Sequence, residues 1–196
     1  ALPICFTLGN RVNLFKTRSA PIQILWLGYC NSLGIKNMDY IIADKNLIKE
    51  EEKNFYSEKV LYMPNIWNAL SKPKEMPKIN SEIFEKTTKF SFGSLNNFLK
   101  ISDKTINVWS KILKLTGANL ILKSSSNDGK DIKDNLLNKF SKQNVDLENF
   151  LILNRFESQK DHLNCYNKFH LTLDTFPWPG VTTSFESLIM GKPVLT

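Results

Sequence analysis

The chain has 196 residues, 42% of them hydrophobic and 23% charged, the balance of one medium or two small globular domains rather than of a disordered or fibrous protein. No apolar run approaches the ~18 residues that a membrane-spanning helix needs, and no basic-then-apolar leader opens the sequence, so no membrane partner is expected. The net charge of +7 comes from lysines spread over the whole chain instead of a basic stripe with interleaved aromatics, so nucleic acid is not expected either.

Cys5, Cys30 and Cys165 are odd in number and far apart, the pattern of free thiols in a reducing compartment, and a cytoplasmic location is expected. With only His162 and His170 beside them and no Cys-x-x-Cys, no metal site is expected. The sequence opens on Ala1 without an initiator methionine and closes on an apolar run, which reads as a piece of a longer protein, incomplete at both ends.

In chain order, Pro21 to Gly28 and Met38 to Asp44 are short apolar runs that predict buried strands, with Val60 to Met63 a further short strand. Lys45 to Lys59 between them is highly charged and reads as a solvated connection. From Ser71 to Thr88 the composition shifts to prolines among lysines and glutamates, the best candidate for a linker.

The pattern then becomes regular. Lys89 to Gly93 predicts a strand entering a loop. A helix follows, with Ser102 as N-cap, Ile106, Trp109, Ile112 and Leu113 on one face, and Gly117 as its stop. Leu120 to Leu122 is a strand; Ile132, Leu136, Leu137 and Phe140 mark a second amphipathic helix; Phe150 to Leu153 is another strand. Ser158 and Asp161 form a capping-box-like start for a helix carrying Leu163 and Tyr166. Phe169 to Leu173 is the next strand, followed by a Pro-Gly corner, a short helix, a glycine and a last strand. Strands alternating with helices predict an α/β fold with Rossmann-like parallel sheets and helices on both faces.

No Gly-x-Gly, P-loop or Asp-x-Asp pattern occurs. A phosphate held here would sit on a helix N-terminus without an evident divalent metal. Ligands of open parallel sheets bind beyond the carboxyl ends of the strands, and two polar loops meet that condition: Phe92 to Lys100 and Thr175 to Thr183. In the second, Thr182 or Thr183 is expected to cap the helix, with free backbone N–H groups pointing outward, and Glu186 one turn further in suits ribose hydroxyls. Lys100, after Phe98 and Leu99 at a helix start, runs against the helix dipole and calls for a negative neighbour. His162 stands beside Asp161 early in its helix. Routine capping, a solvated lysine and a surface histidine are the plain alternatives for these residues.

Four segments, "RSAPIQILWLGYCNSLGIKNMDYIIAD", "YSEKVLYMPNIW", "FGSLNNFLKISDKTINVWSKIL" and "DHLNCYNKFHLTLDTFPWPGVTTSFESLIMGKPVLT", resemble in order and composition the catalytic region of the O-linked N-acetylglucosamine transferase and SPINDLY family of nucleotide-sugar glycosyltransferases, the bacterial members most of all. The resemblance implies a GT-B fold, two Rossmann-like domains facing across a cleft. Residues 1–80 would end the N-terminal catalytic domain with its linker, and residues 81–196 would form most of the C-terminal donor-binding domain. It further implies tetratricopeptide repeats upstream, no cofactor, and as partners a nucleotide sugar and an acceptor protein. Matched residue by residue, Lys100 falls on the family's lysine at the donor diphosphate and Asn97 on a glutamine or asparagine near the same phosphates. His162 falls on the histidine beside the nucleotide base, Thr182 and Thr183 on the paired threonines at the diphosphate, and Glu186 on an acidic residue at the ribose. Leu27 and Gly28 fall on the loop that approaches the sugar from the other domain.

Two departures stand out. Pro179-Gly180-Val181-Thr182-Thr183 replaces the Asn-Gly-His-Thr-Thr of animal members, and Cys30-Asn31 replaces a Pro-Gly pair after Gly28-Tyr29. The resemblance thus implies an inverting, metal-independent transferase moving N-acetylglucosamine from UDP-GlcNAc to Ser or Thr of proteins, with Lys100 stabilising the departing diphosphate. Related alternatives are O-fucosylation, glucosylation of asparagine, and a silent member that only binds nucleotide or protein. The joint presence of Lys100, Thr182, Thr183 and Glu186 favours an active enzyme.

Overall fold

The computed structural model describes residues 11–28, 30–83, 89–123 and 129–196. Cys5, Tyr29 and the end of the expected linker at 84–88 lie outside them. The chain divides into two compact units, Ala1–Ser71 and Lys72–Thr196.

The first unit is built on a parallel sheet of order β1-β2-β3, with β1 at Ile24–Leu25, β2 at Tyr40–Ala43 and β3 at Lys59–Tyr62. Leu25, Ile41 and Ala43 turn to one face and pack on Val12, Leu33, Ile35, Met38 and Ile48, while Ile24 and Leu61 stand exposed on the other. The strand expected over Pro21 to Gly28 is thus only two residues long. The chain leaves the sheet at Trp26, whose indole N–H donates to Trp67 O at 2.7 Å. Leu27 then takes the left-handed region at φ 67°, a conformation that ends a strand and strains a residue with a branched side chain. The charged stretch after β2 is not merely solvated. Asp44 accepts from the N–H groups of Asn46 and Leu47, Ile48 is fully buried, and Glu50–Phe55 form a 3₁₀ turn.

The second unit contains a five-stranded parallel sheet of order β6-β5-β4-β7-β8. Its strands are β4 (Ser91–Ser94), β5 (Asn119–Lys123), β6 (Phe150–Leu153), β7 (Leu171–Leu173) and β8 (Val194–Leu195), and its helices α1 (Asp103–Thr116), α2 (Lys130–Ser141), α3 (Gln159–Asn164) and α4 (Thr182–Ile189). Alternation along β5 shows that both sheet faces are covered. Leu120 and Leu122 join Ile106, Trp109 and Leu113 of α1 and Leu136 and Phe140 of α2 in one cluster. Ile121 points the other way, to Leu163, Tyr166, Phe169 and Met190. α1 begins and ends where its caps dictate: Ser102 Oγ accepts from Thr105 N–H, and Gly117 adopts φ 62°. Gly93 in β4 is required by packing, since a Cβ there would lie 2.2 Å from Cδ1 of the fully buried Phe169 ring.

The division at Ser71 falls closer to the start of the proline-rich stretch than residue 80. The reason is visible in the contacts: Asn167 Nδ2 donates to Lys78 O, Asn80 N–H donates to Asn167 Oδ1, and Met76 packs on the second cluster of the sheet. Residues after Ser71 therefore belong with the second unit.

Candidate functional site

In the second unit the chain winds from β4 outward to β6, then returns to the other side of β4 to form β7 and β8. The direction reverses between β4 and β7, and loops leaving the carboxyl ends of adjacent strands diverge at such a point and open a crevice. The loops here are Leu95 to Lys100 and Asp174 to Val181, the two singled out from sequence.

The second loop is organised by Asp174, a buried carboxylate at the end of β7. Its Oδ1 accepts from Thr175 N–H at 2.8 Å, Gly180 N–H at 2.7 Å and Asn96 Nδ2 at 3.1 Å. Thr175 Oγ1 donates to Trp178 O, and the hydroxyls of Ser102 and Thr105 donate to Phe176 O, so the loop is tied both to itself and to the start of α1. Gly180 is needed for close approach: a Cβ would meet Thr183 Oγ1 at 2.3 Å and Asn96 Oδ1 at 3.1 Å.

Neither threonine caps α4. Val181 holds the N-cap position and offers no side-chain acceptor, leaving Thr182 and Thr183 as the first two helical residues. The Thr183 hydroxyl is drawn away to donate to Asn96 Oδ1 at 3.0 Å, and Ser184 Oγ donates to Gly180 O. The first intrahelical bond is from Phe185 N–H to Val181 O, so the N–H groups of Thr182, Thr183 and Ser184 have no side-chain cap. Lys100 reaches the same corner, its Nζ donating to Pro179 O at 3.1 Å. Burial pushes the Lys100 pKa below the usual lysine value, against the opposing pull of the Asp174 carboxylate. A cation and a helix N-terminus with uncapped donors therefore converge on one corner, an arrangement suited to an anion. Asn97 is exposed and caps the 3₁₀ turn Phe98–Lys100, its Oδ1 accepting from Leu99 N–H.

His162 is not a free surface residue. Its Nδ1 lies 2.9 Å from Lys123 Nζ and its Nε2 lies 2.9 Å from Glu186 Oε2. Glu186 Oε2 also accepts from the Tyr166 hydroxyl at 3.2 Å, and that hydroxyl donates to Thr183 O at 3.0 Å. Burial, with the Glu186 charge and hydrogen bond behind it, pushes the Tyr166 phenol far above its ordinary range, so it is a permanent donor. Polar contacts thus run without a break from Lys123 through His162, Glu186, Tyr166 and Thr183 to Asn96 and Asp174.

Six of the eight expected site residues lie in this unit: Asn97, Lys100, His162, Thr182, Thr183 and Glu186. Leu27 and Gly28 lie in the other, after β1, with Leu27 strained and 42% exposed. Sequence reasoning missed Asn96, Lys123, Tyr166 and Asp174. Asp174 carried a signal, a carboxylate closing an apolar strand just before a Pro-Gly corner; Lys123, at a strand end, carried none. Among the described residues no group of three or more His, Cys, Asp or Glu side chains could hold a metal ion. A cavity of about 470 Å3 lined by Asn80, Ser91, Asn119 and Asn167 opens instead at the amino ends of β4 and β5, away from these groups.

An all-parallel sheet reversing direction at its centre, with helices on both faces, places the second unit among doubly wound, Rossmann-like α/β domains. A model described as glycosyl transferase family 41 matches residues 4–89. The probable UDP-N-acetylglucosamine–peptide N-acetylglucosaminyltransferase SPINDLY of Eustoma exaltatum subsp. russellianum is 30% identical over 97% of this chain and 21% of its own length. The protein of the same description in Solanum lycopersicum is 31% identical over 97% of this chain and 20% of its own length. The solved structure of the Thermobaculum terrenum O-GlcNAc transferase mutant K341M superposes with a TM-score of 0.83 at 29% identity, covering 91% of this chain and 34% of that one. Over 97% of its length the chain is similar to these SPINDLY proteins, and its fold is α/β of the GT-B type. It spans 21% or less of the length of these plant relatives.

Proposed function

We propose that the whole protein transfers N-acetylglucosamine from UDP-GlcNAc to Ser or Thr hydroxyls of acceptor proteins, with inversion and without a metal or bound cofactor. One observation carries the reading: Lys100 and the uncapped first turn of α4 meet at the corner Pro179–Gly180, at the switch point of the sheet. Charge develops on the leaving diphosphate as the sugar departs, and donors fixed in place beforehand stabilise it without reorganising; one such donor is worth roughly 3–4 kcal/mol in other systems. Lys100 and the α4 N–H groups supply that stabilisation where other enzymes use a divalent ion. Glu186 and His162 take the nucleoside end, and Asn97 assists at the phosphates. The names of the plant relatives support the donor and the peptide acceptor. Upstream tetratricopeptide repeats would present the acceptor. A cytoplasmic location agrees with the free thiols of Cys30 and Cys165, and no helix among the described residues is long and apolar enough to cross a membrane.

The test is transfer by the full-length protein, read as a mass increment on acceptor protein with UDP-GlcNAc, GDP-fucose and UDP-glucose offered in separate reactions. N-acetylglucosamine on Ser or Thr is the expected product. Incorporation of fucose or glucose alone overturns the donor assignment, and absence of both transfer and donor hydrolysis overturns the enzyme.

A further inference from the structure

We propose that Lys123 is a positioning residue, holding His162 in a single tautomer so that the imidazole fixes the Glu186 carboxylate for the nucleotide; the link to the nucleotide rests on the function proposed above. The argument begins with hydrogen-bond inventory. An ammonium has donors only. With Lys123 Nζ 2.9 Å from His162 Nδ1, Nδ1 accepts and the ring proton resides on Nε2. That N–H donates to Glu186 Oε2 at 2.9 Å. Oε2 also lies 3.2 Å from the Tyr166 hydroxyl, whose single proton is shared with Thr183 O at 3.0 Å, so the His162 N–H is the full donor that holds this oxygen. Oε1 has no hydrogen-bond partner among the described residues and is left to accept from a ligand.

The opposite tautomer would turn a nitrogen lone pair toward a carboxylate, and the Glu186 side chain would be driven off its seat. The His162 and Glu186 side chains are only 18% and 13% exposed, so solvent does little to relax that repulsion. Four elements converge to build the arrangement: Lys123 ends β5, His162 lies on α3, Tyr166 follows in the next turn, and Glu186 lies on α4. Lys123 is itself half-buried, and burial lowers its pKa, with the Glu186 charge among the influences opposing that shift. A partly desolvated lysine whose one hydrogen-bond contact among the described residues is an imidazole nitrogen is explained by what it does to that imidazole.

The experiment uses the full-length protein with 15N-labelled histidine. The His162 signals are assigned by their loss in His162→Gln, and Lys123→Met and Lys123→Arg are compared with the wild type. In the wild type the two His162 nitrogens should be widely separated, as one Nε2–H tautomer. Lys123→Met keeps the apolar stem but removes every donor, and the two nitrogens should move toward exchange-averaged positions; Lys123→Arg should preserve the separation. In kinetics, Lys123→Met should raise the KM for nucleotide sugar about tenfold, the loss of one charge-assisted bond's worth of orientation, while kcat stays close to wild type. Lys123→Arg should restore most of the KM.

A proton on Nδ1 in the wild type, or an unchanged tautomer in Lys123→Met, overturns the proposal. So does a lowered melting temperature with an unchanged KM, the mark of a purely structural lysine. If no nucleotide sugar is turned over by the wild type, the function fails separately, and the nitrogen signals still decide whether Lys123 sets the ring.

Discussion

Thr183 Oγ1 donates to Asn96 Oδ1 at 3.0 Å, and this bond ties the first turn of α4 to the loop that leaves β4. The other end of the same amide, Nδ2, donates to Asp174 Oδ1. Asn96 is therefore read from both sides, its oxygen by a hydroxyl and its nitrogen by a carboxylate, and it joins the two loops that flank the switch point.

Asn96→Asp tests that joint with almost no change of shape. The new side chain has no donor for Asp174 and places two carboxylates face to face at a buried position. A stability loss of about 2–3 kcal/mol at neutral pH is expected. The sign of the pH dependence follows: like charges favour the protonated pair in the folded state, so the variant should recover stability relative to wild type as pH falls and the two carboxyls share a proton. Denaturant melts across pH decide it, and an unchanged midpoint at neutral pH would show the joint to be idle.

Gly93→Ala should be among the worst small substitutions in the second unit. Its Cβ would fall inside the Phe169 ring, and that ring is fully buried against Tyr166 and cannot swing out. A loss of about 3 kcal/mol is expected. Phe169→Leu costs stability by itself, yet it should lessen the effect of Gly93→Ala in the double variant. Simple additivity in a thermal or denaturant melt would mean the predicted clash is absent.

Much of the second unit was legible in sequence because its signals are local. Ser102 and Gly117 mark both ends of α1, and the apolar periods of α1 and α2 name the residues that bury. The site was legible in part. Lys100, Thr183 and Glu186 sit on loops and helix starts where polar residues are conspicuous, but their partners are remote: Asn96 with Asp174, and Lys123 with His162, meet only through the winding of the sheet. The expected threonine cap failed for the same reason, since spacing cannot reveal that Asn96 captures the Thr183 hydroxyl. In the first unit the strand at Pro21 to Gly28 was overcalled, because an apolar run does not show where Trp26 turns off to meet Trp67.

Turnover by the full-length protein should survive EDTA. In the function proposed above the diphosphate would be met by Lys100, which reaches Pro179 O, and by the N–H groups that open α4, and neither requires an ion. Assaying donor hydrolysis before and after chelation gives the answer; loss of activity that manganese restores would sink this account of the leaving group.

Lys100 carries the sharpest expectation. Under the proposed function its charge would matter most as the diphosphate departs, and an interaction realised mainly in the transition state lowers kcat more than it weakens donor binding. Lys100→Ala should therefore reduce kcat sharply with the fold intact. Thr182→Ala, which leaves the α4 N–H groups in place, should cost no more than a neutral hydrogen bond, roughly 0.5–1.5 kcal/mol. The pH profile adds a second, independent mark. Burial lowers the Lys100 pKa below the ordinary 10.5, so in the free enzyme the ammonium that the proposed role needs is present at neutral pH and lost as pH rises through that lowered value. The alkaline limb of kcat/KM, which reports the free enzyme, should thus fall below pH 10.5. In Lys100→Arg, where the guanidinium stays charged, the limb should move up beyond the measurable range even if the rate is lower. Steady-state kinetics against pH, beside a thermal melt, would show it. If Lys100→Ala kept near wild-type kcat, or Lys100→Arg left the alkaline limb in place, Lys100 would be an ordinary surface lysine and the leaving-group role would belong elsewhere.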